Sequence, residues 1–229
     1  MRGRTHKVLG VLATTGTYVY LKNNGLIPEG ISEQAALLYM YPYAYFGATW
    51  SDLDHHKNSI PTRDPASLLI NSALRVTYPF AKFLANKGKL TRPLYNILHT
   101  LTAKHRSWQT HSIDLFALYL LFLMNVWARL AVSMQMVVLG FTVGYASHLI
   151  ADALTPSGIR IAFGCIVNEL TGKRKLPYKI SLVPNTQFFV TDGSFETGVY
   201  WIASILMYIS LMLIFAEWIF KVDIWNYLI

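Results

Sequence analysis

Residues 144–158 read GYASHLIADALTPSG, an apolar segment running into a helix-stopping Thr-Pro-Ser-Gly. Within it His148 and Asp152 stand four apart, which on an α-helix places both side chains on one face, one turn from each other. A neutral imidazole beside a carboxylate suits a divalent metal such as zinc, with manganese or magnesium as alternatives. The competing reading is a His–Asp hydrogen bond that fixes two helices.

Three further stretches carry the same chemistry. Asp52 and Asp54 flank one leucine in SDLDHH. Two carboxylates so close can ligate or bridge metals or orient a ligand, although a solvated helix cap reads the same way. His55 and His56 follow as surface residues. His105, Arg106, Thr110 and His111 lie within KHRSWQTHSID. Histidines six apart do not share a helix face, so a turn has to bring them together if both bind metal. The planar guanidinium of Arg106 matches a phosphate bidentately, or holds a lipid headgroup at an interfacial loop. Glu196 follows Asp-Gly-Ser and opens an apolar helix. It reads as a favourable charge at a helix N-terminus, a metal ligand, or a base for water. Cys165, the one cysteine, excludes an intrachain disulfide and any Cys metal cluster. No Gly-rich phosphate loop, Ser-His-Asp signature or nucleic-acid module is visible, so nucleic acid is not expected as a partner.

The elements that must position these residues are apolar. Of 229 residues 53% are hydrophobic and 14% charged, with mean hydropathy +0.34 and a formal net charge of +8. Long apolar runs make this an integral membrane protein, and basic excess in such a protein marks loops facing anionic lipid. Five stretches are candidate spans: residues 8–21, 31–50, 115–127, 131–154 and 197–220. The first is short for a span, and residues 1–7, including His6, read as a basic arm. Residues 66–104 read as amphipathic helices on the membrane surface, residues 156–195 as a loop region, and residues 179–190 as a strand or hairpin. The expected architecture is an all-α, polytopic bundle of four to five spans, residues 1–229 forming one domain.

If all five stretches cross from a cytoplasmic N-terminus, segments 1–7, 51–112 and 155–196 face inward and hold seventeen of the twenty Lys and Arg residues. The same topology brings His6, Asp52, Asp54, His105, His111, His148, Asp152 and Glu196 to that one face. Such convergence is what a metal centre needs.

The set THKVLG, SDLDH, HRSWQTHS, GYASHLIADALTPSG and DGSFE, in this order over most of the chain, resembles the YdjM family. These are bacterial inner-membrane proteins classed as metal-dependent hydrolases, some linked to LexA, and remotely similar to zinc-dependent phospholipase C and nuclease P1. The resemblance implies a hydrolase of phosphoesters in a lipid or lipid-linked substrate, in the bacterial cytoplasmic membrane. It implies metal ligands at His6, Asp52, His105, His111, His148 and Asp152, a base at Glu196 or Asp54, and a phosphate clamp at Arg106. A transporter or lipid-handling protein with a structural or regulatory metal site is the alternative, because buried ionisable residues also mark transport paths. A scaffold with a metal-free His–carboxylate network is the third.

Overall fold

The computed structural model describes residues 3–50, 111–171, 176–182 and 193–221. Among these residues the chain forms α1 (Gly3–Asn23), α2 (Glu33–Trp50), α3 (Ile113–Val126), a single 3-10 turn at Trp127–Arg129, α4 (Val132–Ala153), β1 (Ile159–Arg160), α5 (Ala162–Thr171), β2 (Lys179–Ile180) and α6 (Ser194–Phe220). Two compact units result. The first comprises residues 1–49, 123–151 and 185–229; the second comprises 50–122 and 152–184. The polar stretch 51–65 and the amphipathic stretch 66–104 lie outside the described residues.

Helices α1, α2 and α4 each have a buried stripe at four-residue spacing, the repeat that keeps side chains on one helix face. On α1 it is His6, Gly10, Thr14 and Tyr18; on α2, Ala36, Met40, Ala44 and Ala48; on α4, Met136, Gly140, Gly144 and His148. Most of these residues are small or polar, so the backbones approach closely. A Cβ on Gly140 would strike the Met40 carbonyl, one on Gly144 the Ala44 carbonyl, and one on Gly47 the Phe141 carbonyl. Helices α2 and α4 therefore run parallel in step, with Met40, Ala44 and Ala48 meeting Gly140, Gly144 and His148. Small residues at such crossings are how helices associate in lipid, where apolar side chains gain little by leaving their solvent. Replacing Gly144 with alanine pushes a methyl into backbone that cannot move aside. The expected loss is about 1–3 kcal/mol, typical of overpacking, measurable as a lower unfolding midpoint in detergent micelles.

Toward the other end of these helices, Tyr18, Val19, Leu37, Met40, Met136 and Ile214 form an apolar core. At the same end Lys22 of α1 contacts the Glu217 carboxylate of α6 and lies 3.5 Å from Glu33 of α2. The opposite face of α6 is apolar and exposed, from Trp201 and Ile202 through Met212 to Phe220. Among the described residues α4 and α6 are long and apolar enough to cross a membrane. The other three expected spans are helical but differ in kind: α1 and α2 carry polar and tyrosine-rich faces, and α3 has 14 residues.

In the second unit α4 ends as its Thr-Pro-Ser-Gly predicts. The Thr155 N–H and Oγ1 both donate to the Asp152 carbonyl, at 2.9 and 2.8 Å. Gly158 then turns the chain at φ 62°, and a side chain there would strike the Ile180 carbonyl. The strand expected near residue 179 is present, but Lys179–Ile180 pairs antiparallel with Ile159–Arg160.

Helix α5 replaces part of the expected loop. Its first N–H groups are satisfied from another element: Ala162 and Phe163 donate to the Asp114 carboxylate at 2.8 and 2.9 Å. Burial pushes the Asp114 carboxyl up, but backbone N–H donors from Phe163, Ala162, Asp114 and Leu115 outweigh it and hold it below its ordinary value. A depressed carboxyl stabilises the fold above its unfolded pKa, and that contribution is lost as pH falls through the folded one. Asp114→Asn is therefore expected to loosen α5 by about 1 kcal/mol, as for a lost helix cap. Protection of the amides of residues 162–171, measured against their intrinsic exchange rates, should fall at neutral pH and lose its dependence on acid.

Candidate metal centre

Within the first unit the N-terminal ends of α1 and α6 and the C-terminal ends of α2 and α4 lie together. His6 belongs to the first turns of α1, a correction to the arm expected for residues 1–7. Its ring stacks on that of His148, centroids 3.7 Å apart and planes inclined by 17°. His148 is oriented by α2, its Nδ1 lying 2.6 Å from the Ala48 carbonyl. A carbonyl only accepts, so Nδ1 carries the proton and Nε2 carries the lone pair. This is the arrangement by which an outer-shell carbonyl prepares a metal-binding histidine.

Asp152 is placed by α4 itself, one turn beyond His148. The ligand atoms of His6, His148 and Asp152 lie within 4.8 Å of one another, and all three residues are at most 1% exposed. Two imidazoles and a carboxylate are a zinc-type donor set. The position of Asp152 adds a reason. Its carboxylate is buried in the last turn of α4, against the negative end of the helix dipole, where a cation is favoured and an anion is not. Nearly parallel rings cannot aim both lone pairs at one ion.

In the second unit His111 Nε2 lies 3.6 Å from Asp152 Oδ2, with both side chains buried. His111 is fixed through its main chain, whose carbonyl accepts the Arg160 N–H at 2.7 Å. Glu196, in the first turn of α6, is buried and takes a hydrogen bond from Thr5 Oγ1 at 3.0 Å. It thereby fixes the turn of α1 that bears His6, and it stands outside the group of three. Asp52, Asp54, His105 and Arg106 lie outside the described residues.

Two contributors had no signal of their own in the chain. Thr5 is an ordinary polar residue until α6 sets Glu196 beside it. The Ala48 carbonyl is main chain, and only the in-step crossing of α2 and α4 reveals it. The Lys-flanked THKV segment was a weak signal for His6 inside a helix.

A family model described as YdjM inner membrane protein matches residues 1–222. Neither a curated protein nor a solved structure matches the chain.

Proposed function

The chain belongs to the YdjM inner membrane protein family, and from that footing we propose a membrane-embedded, metal-dependent hydrolase cleaving phosphoesters of a lipid or lipid-linked substrate. One observation carries the reading: His6, His148 and Asp152 offer three buried donors within 4.8 Å. When bound, a divalent ion such as zinc supplies Lewis acidity and makes water nucleophilic near neutral pH.

The residues of the chain do the rest. Ala48 keeps the His148 tautomer ready, and Thr5 and Glu196 lock the turn carrying His6. In this reading Glu196 is the base that takes a proton from water, with Asp54 as the alternative. Asp52, His105 and His111 complete the metal shell in this reading, and Arg106 offsets phosphate charge in the transition state. The Lys and Arg distribution orients this end of the helices toward the cytoplasm in a multi-pass topology.

The test is direct. Protein purified in neutral detergent is expected to retain zinc through a mild chelator wash and to hydrolyse at least one member of a short-chain phospholipid panel. Stronger chelation should abolish turnover and added zinc should restore it. Metal-free protein, or turnover indifferent to chelation, overturns the proposal.

A further inference from the structure

Helices α1 and α6 run parallel and are tied at both ends. Thr5 donates to Glu196 in their first turns, and Lys22 contacts Glu217 in their last. Between these ties lies a cleft of about 500 Å³, within the size range of small-ligand sites. Leu12, Gly16 and Val19 of α1 and Ser210 of α6 line its length, and Tyr20, Asn23 and Asn24 of α1 line one end.

Two small residues, Gly16 and Ser210, keep the cleft open. The glycines of the α2–α4 crossing lie against backbone, whereas no atom of a described residue lies within 4 Å of the place a Cβ on Gly16 would take. Glycine costs a helix about 1 kcal/mol relative to alanine, and at Gly16 no close approach of described backbone offsets that cost. The cleft lies at membrane depth, because α6 is long and apolar enough to cross a bilayer and α1 is fastened along it. Condensed matter packs closely, and the matter surrounding these helices at that depth is acyl chain.

The lining is graded as a phospholipid is graded. From Leu12 to Asn23 α1 rises about 16 Å, close to half the roughly 30 Å hydrocarbon layer and so to the depth of one leaflet. Leu12 and Val19 are apolar, and the Thr15 hydroxyl beside them is engaged by the Val11 carbonyl and the Tyr41 hydroxyl. Tyr20 follows, 61% exposed, as aromatic rings do at the headgroup level. The Asn23 and Asn24 amides come last and carry N–H donors suited to an ester carbonyl. Asn24 gives one of its two to the Tyr20 carbonyl at 2.8 Å. No charged side chain lines the cleft, and the nearby Lys22 is answered by Glu217 and Glu33.

We propose that the α1–α6 cleft holds one acyl chain of a bilayer phospholipid, with the ester groups at Asn23 and Asn24 and no selection for headgroup charge. The site lies toward the Lys22 end of the bundle and uses none of the metal donors, so it stands apart from the hydrolase reading.

The test uses full-length protein in neutral detergent and a phosphatidylcholine carrying a diazirine midway along one chain. Adducts formed on illumination are located by peptide mass spectrometry. Labelling of residues 12–24 is expected to saturate with probe, whereas labelling of the exposed α6 face around Met212 should rise in proportion to it. Gly16→Leu fills the cleft and has room for its Cβ. It should fold, judged by circular dichroism, and lower labelling of residues 12–24 by about tenfold, the effect of excluding two chain methylenes. Labelling around Met212 should not change. Unlabelled phosphatidylcholine and phosphatidylglycerol should compete equally, and glycerophosphocholine, which has no chain, should not compete.

Labelling of residues 12–24 that never saturates overturns the proposal. So does a folded Gly16→Leu labelled like wild type. Competition by phosphatidylglycerol alone overturns it in favour of a charge-selective site, and competition by free palmitate alone in favour of a fatty-acid site. If Gly16→Leu fails to fold, Ser210→Leu fills the cleft from the opposite wall and is held to the same outcome. If neither folds, saturation and competition in wild type decide. Saturable labelling of a protein that carries no metal supports the cleft while the hydrolase reading falls alone.

Discussion

His148→Ala is expected to lose bound zinc and, with it, chelator-sensitive turnover. Removing an outer-shell partner typically lowers metal affinity by about 10–100-fold, so removing the oriented ligand itself should exceed that range. The residue sits at the meeting of three helices: its ring stacks on His6 of α1, its Nδ1 binds the Ala48 carbonyl of α2, and its own helix carries Asp152 one turn on. Alanine also leaves a gap beside that carbonyl, so lost metal could follow from lost packing. Asp152→Asn separates the two causes, because it preserves volume and removes only the anionic donor. Both variants should fall together in metal content by mass spectrometry. If Asp152→Asn retains full zinc, the carboxylate is no ligand and the three-donor centre fails.

At the other end of the same bundle, Lys22→Met is expected to be the most destabilising single change among the described residues. The Lys22 and Glu217 side chains are 9% and 10% exposed, and Lys22 also reaches Glu33 at 3.5 Å. Removing one partner of a buried pair strands the other charge in a poor solvent, at a typical cost of about 3–5 kcal/mol. Taking away both charges removes the stranded one, so Lys22→Met with Glu217→Leu should recover most of the loss. Unfolding midpoints in micelles compare the two. A double variant as weak as the single one would trace the loss to packing around the lysine stem.

The chain disclosed its helices unevenly. His148 and Asp152 were legible because one helix carries both and their spacing alone puts them on a face. His6 was harder, since Arg4 and Lys7 depress hydropathy over the first turns and make a helix look like an arm. The seam of α1, α2 and α4 is built from Gly, Ala and Thr, which carry little apolar signal, so two helices of the bundle are less greasy than their positions suggest. Helix α5 was hidden for a different reason. It has ten residues, too few to hold itself, and its N-terminus is satisfied by Asp114, forty-eight residues earlier. The partner of Lys179–Ile180, Ile159–Arg160, was also beyond local pattern. Local pattern records what a residue prefers, whereas these features depend on which distant segment arrives beside it. The expected ligands Asp52 and His105, the base Asp54 and the clamp Arg106 lie outside the described residues and stand on the family resemblance.

Helix α6 has 27 residues against 22 for α4. The twenty residues between Glu196 and Glu217 rise about 30 Å at 1.5 Å each, the hydrocarbon thickness of a typical bilayer. A thinner or thicker bilayer is met by tilting, by local adjustment of the lipid, or by letting an end emerge into the headgroups. The turn bearing Glu196 is at one of those ends, tied through Thr5 to His6. The width of the surrounding membrane therefore bears mechanically on the histidine most remote from the α4 donors in sequence, and lipid chain length becomes a physical control on the geometry of the site.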